Sequence, residues 1–372
     1  MSRINLIKPS LTFEEISPKI EKLIESGIYS NGQNVADFIS EIIKFTKAKY
    51  CFTTSSATTA LWTCLRILGV GKGDEVLVSD FSYPATVNVI EDVEAIPIFV
   101  DVSPETFNMK PDEFESKISS KTKAVIFVDA LGNLSSIDKI RKICNKHKLT
   151  LIEDAACAYG SSINGKNSGS ISDLTCFSFH PRKVICAGEG GAITTNNKHF
   201  AEKLKIKLSH GARFYDDGKV DFIDYGYNFR LSEIQAILAL TQLKKIKNII
   251  QSRRKIWKIY KEILKPLGFV PQVIKEGIEY NVQSATFIVP KNISSTELIS
   301  QLKQKQIDCS IGTFSLSNID YYKKKYRDPK VNSLFLMNNT ITLPCYEGLD
   351  QERVLKAIIN SLDKLTYKNN LY

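Results

Sequence analysis

Short, largely apolar segments recur from residue 50 onward, and they constrain the fold more than any other feature. Segments of this kind are typical of parallel strands that helices cover on both faces, because neither face of such a strand meets water. The segments are 75–79, 96–100, 124–128, 149–152 and 175–179. Helical spacing of apolar residues marks 58–68 ahead of them and 137–147 between two of them. The sequence therefore predicts a large, doubly wound α/β domain with a mainly parallel sheet.

The pattern changes after residue 266, where shorter and mixed elements follow one another. The sequence predicts strands at 282–289 and 341–343, and helices at 294–304 and 351–362. Upstream, a capping box at 232–235 starts an apolar helix, and a long basic helix follows it to residue 264. We therefore predict two domains. Residues 1–247 form the large α/β domain with an N-terminal helical segment, and residues 248–372 form a smaller α+β domain.

The composition excludes several classes of protein. No apolar run approaches the roughly 20 residues that a membrane-spanning helix needs, and Met1–Asn5 lacks the apolar core of a secretory signal. The eight cysteines are scattered, without a CxxC pair or a cluster with histidine, so neither a disulfide framework nor a zinc site is indicated. We therefore expect a cytoplasmic protein with no membrane partner and no metal site.

The net charge of +10 raises the hypothesis of a nucleic-acid partner. The lysines, however, are spread along predicted helices, as in 244–247 and 323–325, without a recognisable groove-reading motif. Solvated helix faces account for this charge, with modest attraction for an anionic substrate as a second interpretation. A nucleic-acid partner is therefore not predicted.

One lysine, Lys183, lies in a segment that reads Ser-Phe-His-Pro-Arg-Lys-Val-Ile-Cys-Ala-Gly-Glu-Gly-Gly over residues 178–191. Apolar strands are predicted on either side, at 176–179 and 192–195. An amine that is kept from water loses its proton more readily, and a neutral amine is a nucleophile that forms Schiff bases, often with pyridoxal phosphate. Taken alone, this window favours a surface lysine beside a glycine-rich hairpin.

Three segments at predicted strand ends supply groups that such a cofactor needs. Thr54–Leu61 is a small-residue turn into a helix, where free amides and the helix dipole favour a phosphate, although a serine cap is the better interpretation in isolation. Tyr83 follows a strand and either stacks on a flat ring or packs as an ordinary tyrosine. Asp154 ends a buried strand, where a carboxylate either keeps a pyridine nitrogen protonated or caps the next helix.

A fourth segment, Gly226–Arg230, reads Gly-Tyr-Asn-Phe-Arg; alone it indicates a polar loop, in which Asn228 could donate to a phosphate. Together the segments resemble the DegT/DnrJ/StrS-type nucleotide-sugar aminotransferases, which use pyridoxal 5′-phosphate and have the aspartate aminotransferase fold (fold type I). The shared motifs are a small-residue turn with Thr-x-Ala-Leu, aromatic-x-Ala-Thr, Asp-Ala-Ala, Ser-Phe-His-x-x-Lys, Gly-Glu-Gly-Gly and Gly-Tyr-Asn-Phe-Arg. They occur in that order between residues 56 and 230, and weaker similarity covers nearly the whole chain.

The resemblance implies a role for each matching residue. Lys183 forms the Schiff base with the cofactor and then shuttles a proton, while Asp154 pairs with the pyridine nitrogen. The other implied contacts are Tyr83 stacked on the ring, the Ala57 and Thr58 backbone with the Ser178 hydroxyl on the phosphate, and Asn228 on the phosphate of the neighbouring subunit. The active unit is then a homodimer with shared active sites.

The resemblance also implies the reaction. An amino group moves from L-glutamate to a keto group of a nucleotide-linked deoxysugar, in amino-sugar biosynthesis for a surface polysaccharide or glycoconjugate. Two alternatives are a pyridoxal-phosphate-dependent sugar dehydratase of the same family, in which histidine replaces the lysine, and a catalytically silent regulatory relative.

Three features depart from the family pattern. Ala57 stands where glycine is common, and an alanine there requires a negative φ. Cys157 stands where many relatives have glutamine or histidine near the 3′-oxygen of the cofactor. The stretch 309–316, which the resemblance implies is the sugar-binding stretch, lacks the His-Tyr pair that is frequent in the family. The substrate contacts are therefore not predicted.

Overall fold

A seven-stranded sheet forms the centre of the structure, a computed structural model that describes residues 2–369, with side chains of the last helix as far as Leu365. The helices are α1 (Phe13–Ser26), α2 (Gln33–Thr46), α3 (Ala57–Ile67), α4 (Ala85–Asp92), α5 (Pro111–Ser116), α6 (Ile137–His147), α7 (Lys198–Lys207), α8 (Glu233–Leu243), α9 (Ile246–Leu264), α10 (Ser295–Gln304), α11 (Asp320–Tyr326), α12 (Val331–Asn339) and α13 (Gln351–Asn369). The strands are β1 (Tyr50–Thr54), β2 (Glu75–Ser79), β3 (Phe81–Ser82), β4 (Ile96–Val100), β5 (Thr122–Val128), β6 (Thr150–Asp154), β7 (Ser162–Ile163), β8 (Lys166–Asn167), β9 (Leu174–Ser178), β10 (Gly191–Thr195), β11 (Ala212–Phe214), β12 (Val220–Phe222), β13 (Val270–Pro271), β14 (Ile278–Glu279), β15 (Ala285–Ile288), β16 (Phe314–Ser315) and β17 (Thr340–Leu343).

The order of the large sheet is β1-β10-β9-β6-β5-β2-β4. Strand β10 is antiparallel to both of its neighbours, and every other adjacent pair is parallel. Strands β1, β2, β6 and β9 therefore end at the same edge of the sheet. The mainly parallel sheet agrees with the predicted fold class, and the predicted elements between residues 50 and 195 are all present.

Helices cover both faces of this sheet. Side chains alternate between the faces, so that Val125 and Phe127 pack with α2, α6 and α8, whereas Ala124 and Ile126 pack with α3 and α4. Both faces of the central strands are buried, which explains why these strands read as continuous apolar runs in the sequence. The doubly wound arrangement follows from this alternation.

A second apolar cluster lies in the C-terminal part of the chain, around the sheet β13-β15-β17. Helix α9 contributes to both clusters: Ile249 packs against the large sheet, whereas Tyr260 and Leu264 pack in the second cluster. The predicted boundary between 1–247 and 248–372 falls in the first turn of this shared helix, and the division stays a prediction.

The segment 314–333 leaves the second cluster and returns to the large sheet. There the buried carboxylate of Asp80 accepts hydrogen bonds from the Ser315 hydroxyl at 3.0 Å, from the Ser317 amide at 2.7 Å, and from the hydroxyls of Ser317 and Ser333. Burial raises the pKa of Asp80, and these four donors oppose that effect. The carboxylate therefore anchors a late part of the chain to an early one.

One predicted strand is wrong at its start. The sequence indicated a strand over 282–289, but β15 begins at Ala285. Val282 has φ of 54°, in the left-handed region that a β-branched residue rarely adopts, and this turn prevents a strand from starting earlier. Alternation of apolar residues carries no signal for such a turn.

All eight cysteines are free. Among the described residues, no helix combines the length and the apolar character that crossing a lipid bilayer requires.

Two fully buried carboxyl groups, those of Asp129 and Glu153, lie side by side behind the end of β6. Glu153 accepts hydrogen bonds from Ser168, Ser172 and Thr175 at 2.7–3.0 Å, whereas Asp129 has no donor to either oxygen. Burial and the neighbouring Glu153 charge raise the pKa of Asp129 well above its usual value. Of the two carboxyl groups, Asp129 is therefore the one that binds a proton more readily than an ordinary aspartate.

Asp129→Asn is expected to make the stability less dependent on pH. The raised pKa means that the folded wild type binds a proton that the unfolded chain releases above about pH 4, so its stability falls as pH rises toward the folded pKa. An asparagine amide is uncharged and does not titrate. The free energy of unfolding in urea, measured at about pH 5 and about pH 8, should fall less in this variant than in the wild type.

The exposed Asp363→Asn is the matched control, and its pH dependence should follow the wild type. Identical pH dependence of Asp129→Asn and wild type would show instead that Asp129 is ionised in the fold.

Candidate active site

A cleft of about 680 Å³ opens at the edge where β1, β2, β6 and β9 end. Its floor comes from the residues that follow these strands, and its outer wall comes from Ser310–Phe314 and from Leu6 and Ile7. Ligands of open α/β sheets bind at this edge, outside the carboxyl ends of the strands. Of the seven predicted site residues, six line this cleft: Ala57, Thr58, Tyr83, Asp154, Ser178 and Lys183.

The turn between β1 and α3 presents free backbone amides to the cleft. Ser56 caps α3, and its hydroxyl accepts the Thr59 amide at 3.1 Å. Within the described part of the chain, the amides of Ala57 and Thr58 have no acceptor. Ala57 does not have a positive φ, so alanine is compatible with this position. Both interpretations of the turn therefore hold: it is a serine cap, and it also leaves two amides at a helix N-terminus for an anion.

Gly191, the last residue of the Gly-Glu-Gly-Gly motif, explains why this turn is so compact. It pairs with Thr54 on one side and with Ser178 on the other, at the start of β10. A β-carbon at Gly191 would lie 2.5 Å from the carbonyl carbon of Ser56 and 2.7 Å from the Ala57 nitrogen. Only glycine lets the turn approach β10 this closely, and the approach brings the Ser178 hydroxyl and the free amides to one side of the cleft.

The carboxylate of Asp154 is oriented by a short chain of hydroxyls. Thr86 donates to Oδ2 at 2.8 Å, and the Ser82 hydroxyl lies 2.8 Å from Thr86. The Ala156 amide donates to Oδ1 at 3.2 Å, and the chain continues as a turn, so Asp154 does not cap a helix. Burial raises the pKa of Asp154, while the Thr86 hydroxyl and the Ala156 amide lower it, as does the charge of Lys183 to a smaller extent.

Tyr83 presents its ring to the cleft. The side chain is 66% exposed although it follows the buried strand β3, and its ring centroid lies 6.1 Å from that of Phe314 in an edge-to-face arrangement. A large aromatic side chain that is left uncovered beside a polar cleft is suited to stacking on a flat ligand. The alternative of an ordinary packed tyrosine does not fit this exposure.

Lys183 lies in the loop between β9 and β10, half-buried at the cleft. Its amine donates to the Cys157 sulfur at 3.1 Å. Cys157 stands where many relatives have glutamine or histidine near the 3′-oxygen of the cofactor, and its thiol lies in the cleft. The sequence did not predict this contact.

Asn228 is the predicted site residue that does not line the cleft. It is exposed, its backbone pairs with Ser209, and its side chain accepts the Arg230 amide at 3.4 Å. The nearby hairpin β11–β12 carries exposed apolar side chains, of which Phe222 is 69% exposed. Asn228 therefore has no part in the cleft of its own chain.

The groups in the cleft match the chemistry of pyridoxal 5′-phosphate. Free amides at a helix N-terminus and the Ser178 hydroxyl suit a phosphate, Asp154 has lone pairs left for a pyridinium, and Tyr83 suits the ring. Lys183 supplies an amine for an aldehyde.

Three residues that orient or flank these groups were not predicted from the sequence: Thr86, Phe314 and Gln283. For Thr86, the sequence did offer an indication, because it lies three residues after Tyr83 in the same motif.

The fold agrees with that of known proteins. A GDP-perosamine synthase from Vibrio cholerae is 31% identical over 371 residues, which cover 96% of this chain and 98% of that protein. The structure of PseC from Helicobacter pylori, an aminotransferase involved in pseudoaminic acid biosynthesis, has a TM-score of 0.91 at 24% identity, covering 98% of this chain and 100% of that one. The PLP-form of the putative sugar aminotransferase Spr1654 from Streptococcus pneumoniae has a TM-score of 0.89 at 27% identity, covering 98% and 99%.

These likenesses confirm the predicted fold class and the predicted resemblance. The family model described as the DegT/DnrJ/EryC1/StrS aminotransferase family matches residues 11–363, nearly the whole described chain. The chain belongs to the DegT/DnrJ/EryC1/StrS aminotransferase family.

Proposed function

We propose that this chain is a pyridoxal-5′-phosphate-dependent aminotransferase that moves an amino group from L-glutamate to a keto group of a nucleotide-linked deoxysugar. The observation that carries the proposal is the convergence of Lys183, Asp154, Tyr83 and the free amides of α3 on one cleft. The name of the V. cholerae relative, a GDP-perosamine synthase, supports a nucleotide-linked sugar as the acceptor. The positive net charge favours an anionic substrate of that kind.

Different residues of the cleft would bind different parts of the cofactor. The Ala57 and Thr58 amides and the Ser178 hydroxyl would hold the phosphate, and Tyr83 would cover the ring. Asp154, oriented by Thr86, would hold a proton on the pyridine nitrogen, because a buried carboxylate favours a cation beside it. When bound, pyridoxal phosphate supplies an electron sink for negative charge at the carbon that reacts.

Lys183 then acts as both base and acid. Its amine Nζ would accept the proton from the α-carbon of the amino donor and deliver a proton at the carbon that becomes aminated. The half-buried setting of Lys183 limits access of water to the amine. A sugar dehydratase of this family would have histidine at this position, so Lys183 disfavours that alternative.

We also propose that the active unit is a homodimer in which Asn228 serves the neighbouring subunit. Asn228 lies outside its own cleft, beside the exposed apolar hairpin β11–β12. Exposed apolar side chains on a projecting hairpin favour burial against a partner, and a second copy supplies the two-fold arrangement that sharing requires.

Lys183→Ala is expected to abolish amino transfer while the protein stays folded, because the variant has no amine at the reacting position. In the wild type, borohydride should fix pyridoxal phosphate on Lys183, as read by mass spectrometry of peptides. The exposed Lys166→Ala is the control and should keep both activity and labelling. Near-normal turnover of Lys183→Ala with glutamate and a panel of nucleotide ketosugars would contradict the proposal.

Asp154→Asn is expected to retain bound cofactor but to lower the rate by at least about a hundredfold, since an amide does not stabilise a pyridinium charge. The asparagine carbonyl can accept from the Ala156 amide while its NH2 group donates to the Thr86 hydroxyl, so both contacts of the side chain are retained. The measurement is single-turnover kinetics with the cofactor content determined by absorbance. Wild-type kinetics in this variant would mean that Asp154 only closes the turn with Ala156.

Mixing Asn228→Ala with Lys183→Ala subunits tests the shared site. In a mixed dimer, one site combines an intact Lys183 with an intact Asn228 from the other chain, and the other site carries both lesions. Activity should therefore recover on mixing, above that of the Asn228→Ala parent. Mixed dimers that are confirmed by mass and show no recovery would refute the shared site.

A further inference from the structure

A short segment from the C-terminal part of the chain holds the backbone on both sides of Lys183. The side chain of Gln283 accepts the Val184 amide through Oε1 at 3.0 Å and donates through Nε2 to the Arg182 carbonyl at 2.6 Å. Gln283 is 4% exposed and lines the cleft. One side chain thus binds the residue before Lys183 and the residue after it.

The same segment holds the partner of the lysine. The side chain amide of Asn281 donates to the Cys157 carbonyl at 2.9 Å and to the Tyr159 carbonyl at 3.0 Å, and Asn281 is fully buried. The Cys157 sulfur accepts a hydrogen bond from the Lys183 amine. The segment that contains Asn281 and Gln283 therefore holds the backbone at both partners of this contact.

Between these two residues, Val282 adopts its left-handed conformation. Such a conformation is costly for a β-branched residue and persists only where the surroundings impose it. Here Arg253, 2% exposed, donates to the Val282 carbonyl at 2.8 Å and to the Gln283 carbonyl at 2.7 Å. Buried hydrogen bonds therefore fix a strained turn beside the cleft, and such turns are frequent where function depends on exact placement of a group.

We propose that Gln283 is a positioning residue for Lys183, which rests on the role of Lys183 proposed above. A lysine amine stands at the end of a flexible four-carbon stem, so fixing the backbone at Arg182 and Val184 restricts the volume that Nζ samples. Displacement of a reacting group by about 1 Å costs roughly a hundredfold in rate. Gln283 acts through the lysine and is not itself a group that reacts.

The chain offers a matched control for this inference. Gln242 is fully buried and binds the backbone of Cys186 in the same loop. Its side chain accepts a hydrogen bond from the Cys186 amide at 3.3 Å and donates one to the Cys186 carbonyl at 2.7 Å. It holds the same loop three residues beyond Lys183. Each of Gln283→Met and Gln242→Met removes one donor and one acceptor from this loop, and only the Gln283 bonds flank the lysine. Gln242→Met also removes a hydrogen bond to the Leu238 carbonyl within α8, so it is the more disruptive change to the hydrogen bonding.

The experiment follows attachment of pyridoxal phosphate to the cofactor-free protein by visible absorbance over a range of cofactor concentrations. Gln283→Met should lower the limiting rate of attachment at least about tenfold and leave the half-saturating concentration within about twofold, because positioning affects the reaction of the amine more than phosphate binding. Gln242→Met should stay within about twofold of wild type in both values. Hydrogen exchange of the Val184 amide should accelerate in Gln283→Met only.

Gln283→Glu provides a second test of the positioning role if Gln283→Met fails to fold. It keeps the acceptor for the Val184 amide and loses the donor to the Arg182 carbonyl, so its limiting rate should lie between those of wild type and Gln283→Met. Without a folded Gln283→Met, a limiting rate for Gln283→Glu below wild type supports the inference.

Failure of the proposed function and failure of the positioning role would give different experimental results. If borohydride does not fix the cofactor on Lys183 in the wild type, the proposed function is wrong. If it does, but both Gln283 variants attach at the wild-type rate or Gln242→Met is slowed equally, the positioning role is overturned while the proposed function stands.

Discussion

Parallel strands all end at one edge of their sheet, and the candidate site depends on that constraint. Strands β1, β6 and β9 deliver the amides of α3, the carboxylate of Asp154 and the hydroxyl of Ser178 to the same edge. The antiparallel strand β10 enters between β1 and β9 from the opposite direction, and Gly191 at its start lets the turn after β1 close over it. Without a glycine there, the free amides and the lysine loop could not lie side by side.

Much of this arrangement could be predicted from the sequence, because it depends on local patterns. Continuous apolar runs indicated the parallel strands, and small or polar residues after them indicated the cleft. Asp154, Tyr83 and Lys183 lie where their positions after strands suggested. The contacts that orient them could not be predicted, since Gln283 and Phe314 come from a part of the chain more than 90 residues away, as the Gln283–Val184 separation of 99 residues illustrates. The backbone conformation of Val282 could not be predicted either. Its strained φ is imposed by distant side chains, so the local sequence carries no pattern that indicates it.

Three buried carboxylates near the large sheet accept hydrogen bonds from hydroxyl groups and not from lysines. Asp154 has Thr86, Glu153 has two serines and a threonine, and Asp80 has three serines. Hydroxyls are small, donate one hydrogen bond each, and need no desolvation of a second charge. Asp154 is held by a hydroxyl and a backbone amide and forms no salt bridge among the described residues, which leaves its charge free to stabilise a cationic ligand.

The hydrogen bonds to the buried Asp80 carboxylate affect the order in which the protein folds. The bond from Ser333 to Asp80 spans 253 residues, so a growing chain has completed the strands of its large sheet long before the donors for that carboxylate exist. A buried carboxyl without partners is unfavourable, and contacts of such long range form late and slowly. Final closure of this part of the sheet therefore waits for the donors between residues 315 and 333, after the rest of the sheet has formed.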